Sequence, residues 1–283
     1  MAAIRIGISG WRYKPWRGTF YPKDLPQHAE LEYAASILAV IEINGSFYSL
    51  QRPSSYARWY ADTPNGFTFA VKGPRFITHM LRLKSVEVPL ANFFASGLFN
   101  LREKLGPILW QFPPNFRYDH DRLAGFLDLL PRDTKAALAL ARRRNAIVKG
   151  RSRLAIDARR SLRHAIEIRH ESFLDPRFVD LLREHNTALV IAETARRWPM
   201  VQDITADSST SGCTATRSCT RAATPTGRWT SGQGASPPGT EAPSRRTRGR
   251  SHPGSHRRGN RAMSTASSTI PTSSCAPRSM RKR

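Results

Sequence analysis

VIEINGSFYSL, Val40–Leu50, carries two patterns at once. Ile41 and Ile43 stand two apart, and so do Glu42 and Asn44, so in an extended chain the aliphatic pair points to one face and the polar pair to the other. AIEIRHESF, residues 165–173, repeats the device, with Ile166 and Ile168 alternating against Glu167 and Arg169. If the aliphatic residues pack under helices, the polar pairs face the inside of a barrel, and a charged interior needs partners or a ligand.

Working outward, short apolar stretches at 4–10, 40–48, 67–73, 107–112, 164–170 and 188–193 read as strands. Residues 30–38, 54–61, 90–105, 121–130 and 176–184 show apolar residues at three- and four-residue spacing and read as helices. Pro176 suits a first helical turn after Asp175, whose carboxylate can cap the free amides. Residues 133–163 read as an inserted basic helix and loop. Six strand–helix repeats predict an α/β fold, either a doubly wound sheet or a barrel.

From Ser208 onward the character of the chain changes. All three cysteines, Cys213, Cys219 and Cys275, fall there, with one aromatic (Trp229) and one branched aliphatic (Ile270). Residues 208–283 hold 14 Lys/Arg against one acid, so 13 of the +24 net charge belongs to them and the body keeps +11. That composition cannot bury a core and predicts a disordered basic tail. A body without cysteine excludes a disulfide framework and a cysteine-based zinc site there. The start MAAIRIGISGW lacks the layout of a secretory signal, and no apolar run reaches membrane-spanning length. The expectation is a cytoplasmic protein with no cofactor, no metal and no membrane partner.

The stretches IGISGWRYKPWRGTFYP, VIEINGSFYSL, FTFAVKGPRFITH, LGPILWQFPPNF, AIEIRHESF and ALVIAETARRWPMVQDITAD, in this order, resemble the YecE-like family, catalogued as a domain of unknown function. The resemblance covers nearly all of residues 4–206. It implies a TIM-barrel-like fold and leaves the activity open. The family pattern continues with a strand like FVYVRLHG and a last strand ending like YFDN, and neither appears. Written in GC-rich codons with one nucleotide restored before Ser208, SSTSGCTATRSCTRAATPTGRWTSG can be spelt FVYVRLHGDEELYASGYTDGALDLG. The same shift turns STASSTIPTSSCAPRSM into VYGFFDNPDVKLRAPFD. Two hits in family order and in one frame predict a frameshift at Ser208. The expected architecture is thus an incomplete TIM (β/α)8-like barrel, 1–206, with about six strands in frame and two open edges, followed by an out-of-frame tail, 207–283.

Barrels place reactive groups at the carboxyl ends of their strands. Those ends nominate Glu42, Lys72, Glu167 and Arg169 as catalytic, and Ser9, Trp11, Asn44, Tyr48, Gln111, His79 and His170 as substrate-binding. Against these stand plainer roles: Glu42 and Glu167 in buried ion pairs, the two histidines as hydrogen-bonding partners, and the aromatics mostly as core. Neither histidine has HxH or HExxH spacing, and IRIGISG lacks the further glycines or lysine of a phosphate loop. The expected ligand is a small anionic or sugar-like molecule, with Glu42 or Glu167 as acid/base and Lys72, Arg169 and Gln111 holding charge. The alternative is a nucleic-acid-associated protein using its basic body and Arg-rich tail.

Overall fold

A computed structural model of the chain describes residues 4–194, 197–213 and 265–270. Eight parallel strands pair in chain order into a closed ring: β1 (Arg5–Ser9), β2 (Val40–Ile43), β3 (Thr68–Lys72), β4 (Leu105–Gln111), β5 (His164–Glu167), β6 (Ala188–Glu193), β7 (Ser208–Cys213) and β8 (Thr265–Ile270). The outer layer contains α1 (Glu30–Ile37), α2 (Gly45–Tyr48), α3 (Pro53–Ala61), α4 (Glu87–Ala95), α5 (His120–Leu129), α6 (Thr134–Ala141) and α7 (Pro176–Glu184). This is the α/β, TIM-like barrel expected from the six repeats. The two open edges do not arise: β8 pairs with both β7 and β1, so the ring closes through strands in the segment read as tail. The rest of the expected disordered tail lies outside the described residues.

Local chemistry explains most element boundaries. Asp119, Asp133 and Asp175 each accept a hydrogen bond from a first-turn amide of α5, α6 and α7, and Pro176 occupies the first turn of α7 as read from the sequence. Several expected elements are shorter, two of them for visible local reasons. The strand 40–48 ends at Ile43 because Gly45 and Ser46 turn the chain into α2, with Ser46 Oγ donating to the Ile43 carbonyl at 3.0 Å. The helix 90–105 ends at Ala95 because Gly97 takes φ +106°, a left-handed conformation suited to glycine, where any Cβ would run into Pro53.

Two apolar layers flank the strands. The larger, under the helices, contains Ile41, Ile43, Phe69, Val71, Ile108, Trp110, Ile166, Ile168 and Leu189. Residues of opposite parity, Leu109, Ala165, Ala188, Val190 and Ala192, form a separate small cluster in the lumen. One histidine belongs to the outer layer: His164 Nδ1 accepts from the Trp110 indole at 3.1 Å while Nε2–H donates to the Pro131 carbonyl at 2.9 Å. That pairing suits the neutral ring, and burial pushes its pKa down to about 4. No helix among the described residues is long and apolar enough to cross a membrane.

Two glycines test the packing in opposite directions. A Cβ on Gly7 would overlap the Val40 carbonyl of the paired strand, whereas one on Gly125, inside α5, meets nothing within 4 Å. Gly7→Ala is expected to destabilise the fold by roughly 3 kcal/mol, lowering Tm by roughly 6–12 °C. Gly125→Ala is expected to stabilise it by about 0.5–1 kcal/mol. Thermal unfolding followed by circular dichroism checks both, and a Gly7→Ala protein as stable as the parent would contradict this account of β1–β2 packing.

Candidate functional site

Register carries the polar residues to one end of the barrel. Ser9 lies opposite Glu42, Gln111 opposite Glu167, and Lys72 opposite Leu109 of the lumen cluster. Each polar residue stands at the carboxyl end of its strand, on the face opposite the helix-side isoleucines. The aliphatic half of the alternation is consumed by the helices, which leaves the polar half no other place.

Two networks form there. On one side Ser9 Oγ donates to Glu42 Oε1 at 2.5 Å and accepts from Asn44 Nδ2 at 2.8 Å, while the Tyr13 hydroxyl donates to the Ser9 carbonyl. On the other, Glu167 accepts from Gln111 Nε2 at 2.7 Å through one oxygen and from Arg169 Nε at 2.9 Å through the other, where Arg169 Nη2 also lies at ion-pair distance, 2.9 Å. Arg169 also lies 5.6 Å from the Trp198 ring centre, and Arg197 covers the same ring at 5.1 Å. The Lys72 ammonium sits 5.0 Å from the Phe47 ring centre, and the His79 ring meets Phe47 edge-on at 5.1 Å.

Electrostatics ties the networks together. Glu42 is only 6% exposed, and burial pushes its carboxyl above the ordinary 4.5; Lys72 and the Ser9 hydroxyl pull it back, and the charge of Glu167 pushes it up again. His79 is pushed down to about 4, first by burial and then by the positive charges of Arg169, Lys72 and Arg75, with Glu167 opposing. Groups from β2, β3, β5 and the loop after β3 thus feel one another across one mouth. A buried carboxyl with a raised pKa keeps its proton more readily than an ordinary one, and the cations around it can stabilise a developing negative charge. Among the described residues no group of three or more His, Cys, Asp or Glu is placed to hold a metal ion.

Glu42, Lys72, Glu167, Arg169, Ser9, Asn44, Gln111 and His79 therefore share one neighbourhood. Three other candidates stand apart from its hydrogen bonds. Trp11 is 8% exposed, packs edge-on against Trp59 at 5.4 Å, and its carbonyl accepts from the Tyr21 hydroxyl. His170 Nδ1 accepts from the Ser172 amide at 3.0 Å and caps the turn Glu171–Phe173. Tyr48 is 68% exposed, with the Arg75 guanidinium 5.4 Å from its ring centre. Tyr13 and Trp198 join the site without any signal in the strand alternation. Both lie in loops, where no periodicity marks a facing, although both fall within the family-like stretches.

The pKa shifts have opposite consequences for stability. A raised carboxyl pKa makes ionisation of Glu42 costlier in the folded chain. The penalty is absent below about pH 4.5, where the group is protonated folded and unfolded, and it develops as pH rises above that. Glu42→Gln is therefore expected to raise Tm at about pH 7.5, by roughly 2–4 °C per kcal/mol of relieved penalty, and to leave it unchanged at about pH 4. For His79 and His164, lowered from 6.5 to about 4, the sign reverses: their contribution is intact above pH 6.5 and is lost as pH falls from 6.5 to 4. Calorimetry across this range checks both, and an equal Tm change for Glu42→Gln at the two pH values would count against a carboxyl whose ionisation is opposed by burial.

Comparison with known proteins agrees with the architecture. Residues 5–233 match the family model described as protein of unknown function DUF72. The chain is 26% identical over 199 residues to the UPF0759 protein YecE of Escherichia coli O157:H7, covering 70% of this chain and 68% of that protein. It is 26% identical over 132 residues to the UPF0759 protein YunF of Bacillus subtilis, covering 43% of this chain and 44% of YunF. A DUF72 family protein from Thermotoga maritima superposes with a TM-score of 0.56 at 22% identity, covering 75% of this chain and 74% of that one. Another from Enterococcus faecalis gives 0.52 at 18% identity, over 74% and 70%.

Proposed function

We propose that this chain, which belongs to the DUF72 family of proteins of unknown function, acts on a small anionic or sugar-like substrate held at the lumen mouth. One observation carries the reading: Glu42 keeps a buried carboxyl with a raised pKa beside the Ser9 hydroxyl and within the field of Lys72. A protonated carboxyl at a strand tip is a general acid, and after donating its proton it becomes the matching base. Glu167 suits that task less well, because Gln111 and Arg169 already occupy both of its oxygens. Its part is to position Arg169, which with Lys72 neutralises the charge of the substrate.

We further propose that 1–206 is the barrel domain in its native frame and that 207–283 is translated out of frame. The pleat supports this independently of the codons. Thr210 and Gly212 lie opposite the lumen residues Val190 and Ala192, and Ser211 lies opposite Ile191, so Ser209 and Ser211 fall on the helix-side face of β7. Other strands fill that face with Ile, Phe, Val, Trp and Leu. The shifted frame spells Ser209→Val and Ser211→Val on the helix side, and Thr210→Tyr and Gly212→Arg on the lumen side. On β8 the same frame spells Ser268→Phe opposite Ile6, an interior strand residue left 52% exposed.

Resequencing across the codon for Ser208 tests the frame directly. In a side-by-side thermal-shift screen, a small phosphate or sugar is expected to stabilise the version with one nucleotide restored by several degrees and the 283-residue chain far less. Glu42→Gln in the restored protein is expected to abolish turnover of the stabilising compound while retaining its binding. Equal stabilisation of both versions would place the whole site within 1–206. Salt-sensitive binding of DNA or RNA, with no response to small ligands, would replace the enzyme reading by the nucleic-acid one.

A further inference from the structure

We propose that a cleft between the β3–α4 and β4–α5 loops is a phosphate subsite of the same mouth, so that the substrate is a phosphomonoester of a small polyol or sugar. This rests on the reading of Glu42 given above and adds the group by which the substrate is anchored. The cleft has a volume of about 270 Å3 and is lined by Arg82, Asn115, Arg117, Tyr118, Asp119 and Arg122, among others. Its one carboxylate is already satisfied: Asp119 pairs with Arg122 Nη2 at 2.8 Å and accepts from the Arg122 amide at 3.1 Å. Neither Arg82 nor Arg117 makes a hydrogen bond or ion pair with a described residue. Two unengaged guanidiniums facing a cleft of this size suit a tetrahedral dianion, because each planar fork can grip two of its oxygens.

The position of the cleft joins it to the site. Arg117 follows Gln111 by six residues, a span of at most about 20 Å of chain, and Arg82 follows His79 by three. Both loops leave the carboxyl ends of strands whose last residues, Lys72 and Gln111, lie at the mouth. The Tyr118 amide donates to Ser172 Oγ at 2.8 Å, which ties the second loop to the one that follows Glu167 and Arg169. The loop bearing Arg82 is held in an unusual backbone: Arg82, Leu83 and Ser85 have φ of 50°, 65° and 49°. Non-glycine residues seldom adopt such angles unless their surroundings impose them. Here buried Leu83 and Val86 anchor the loop in the helix-side core.

The cleft lies wholly within residues 82–122, so the 283-residue chain can be tested as it stands. Isothermal titration with inorganic phosphate and with glycerol 3-phosphate, glycerol serving as the uncharged control, is the experiment. The Arg82→Ala/Arg117→Ala double variant is expected to bind inorganic phosphate at least about tenfold more weakly, and the double lysine variant to recover part of the loss. Glycerol 3-phosphate is expected to bind the parent more tightly than inorganic phosphate, and that advantage is expected to vanish in Lys72→Met. Both arginines are exposed, so the unliganded Tm of each variant is expected to match the parent. Phosphate affinity unchanged in the double alanine variant overturns the subsite. Loss in Lys72→Met alone moves the anion to the lumen, ending this proposal while leaving the role of Glu42 standing. An inert Glu42→Gln substitution beside intact arginine-dependent phosphate binding would end the acid/base reading and leave the subsite as an anion site without it.

Discussion

Alternation along a parallel strand is the constraint on which everything else in this barrel depends. Successive side chains point to opposite faces, so each strand must satisfy two environments with one run of residues. The helix side takes the bulky residues, Ile41 and Ile43, Phe69 and Val71, Ile108 and Trp110, Ile166 and Ile168. The lumen takes small ones, Ala165, Ala188, Val190 and Ala192 with Leu109, because a ring of this size has little room inside. Shifting any one strand by a residue would exchange these sets. The same rule makes the hydroxyl-bearing outward positions of β7 conspicuous.

Placing charge in such a lumen is costly, and the way that cost is met shapes the mouth. An isolated ionised group taken out of water loses far more than one hydrogen bond returns. Glu167 is held by hydrogen bonds donated by Gln111 and Arg169 and by the ion pair with the Arg169 guanidinium. Glu42 receives one hydrogen bond from Ser9, and its pKa rises as a result of burial. The histidines show the same logic: His164 is neutral because it is sealed between Trp110 and Pro131, and His79 because it is partly buried and faces three cations.

Loops on the carboxyl-end face add a second tier of charge. Arg75 lies over Tyr48, Arg169 and Arg197 flank Trp198, and Arg82 and Arg117 border the cleft beyond. Guanidiniums laid on aromatic rings keep their charge while shedding part of their hydration, which suits them to meet an anion at modest desolvation cost. The positive excess of the body is therefore concentrated in part where the strand-tip carboxyls lie.

Residue pattern alone determined the parallel strands up to Glu193, the helices capped by Asp119, Asp133 and Asp175, and the inward facing of Glu42, Lys72, Gln111, Glu167 and Arg169, because periodicity and capping are local properties that survive in one dimension. It could not show that Trp11 packs on Trp59 or that His170 caps its own turn, because residues in such roles carry the same letters as ligands would. Nor could it mark Tyr13, Trp198 or the Arg82 and Arg117 cleft, whose neighbours come from separate loops. Tertiary structure also decided that Ser208–Cys213 and Thr265–Ile270 stand as strands, since pairing through backbone groups on both sides needs no apolar side chain to signal it. What is set by spacing along the chain was legible; what depends on which loops meet at one end of a closed ring was not, because that proximity exists only once the ring has closed.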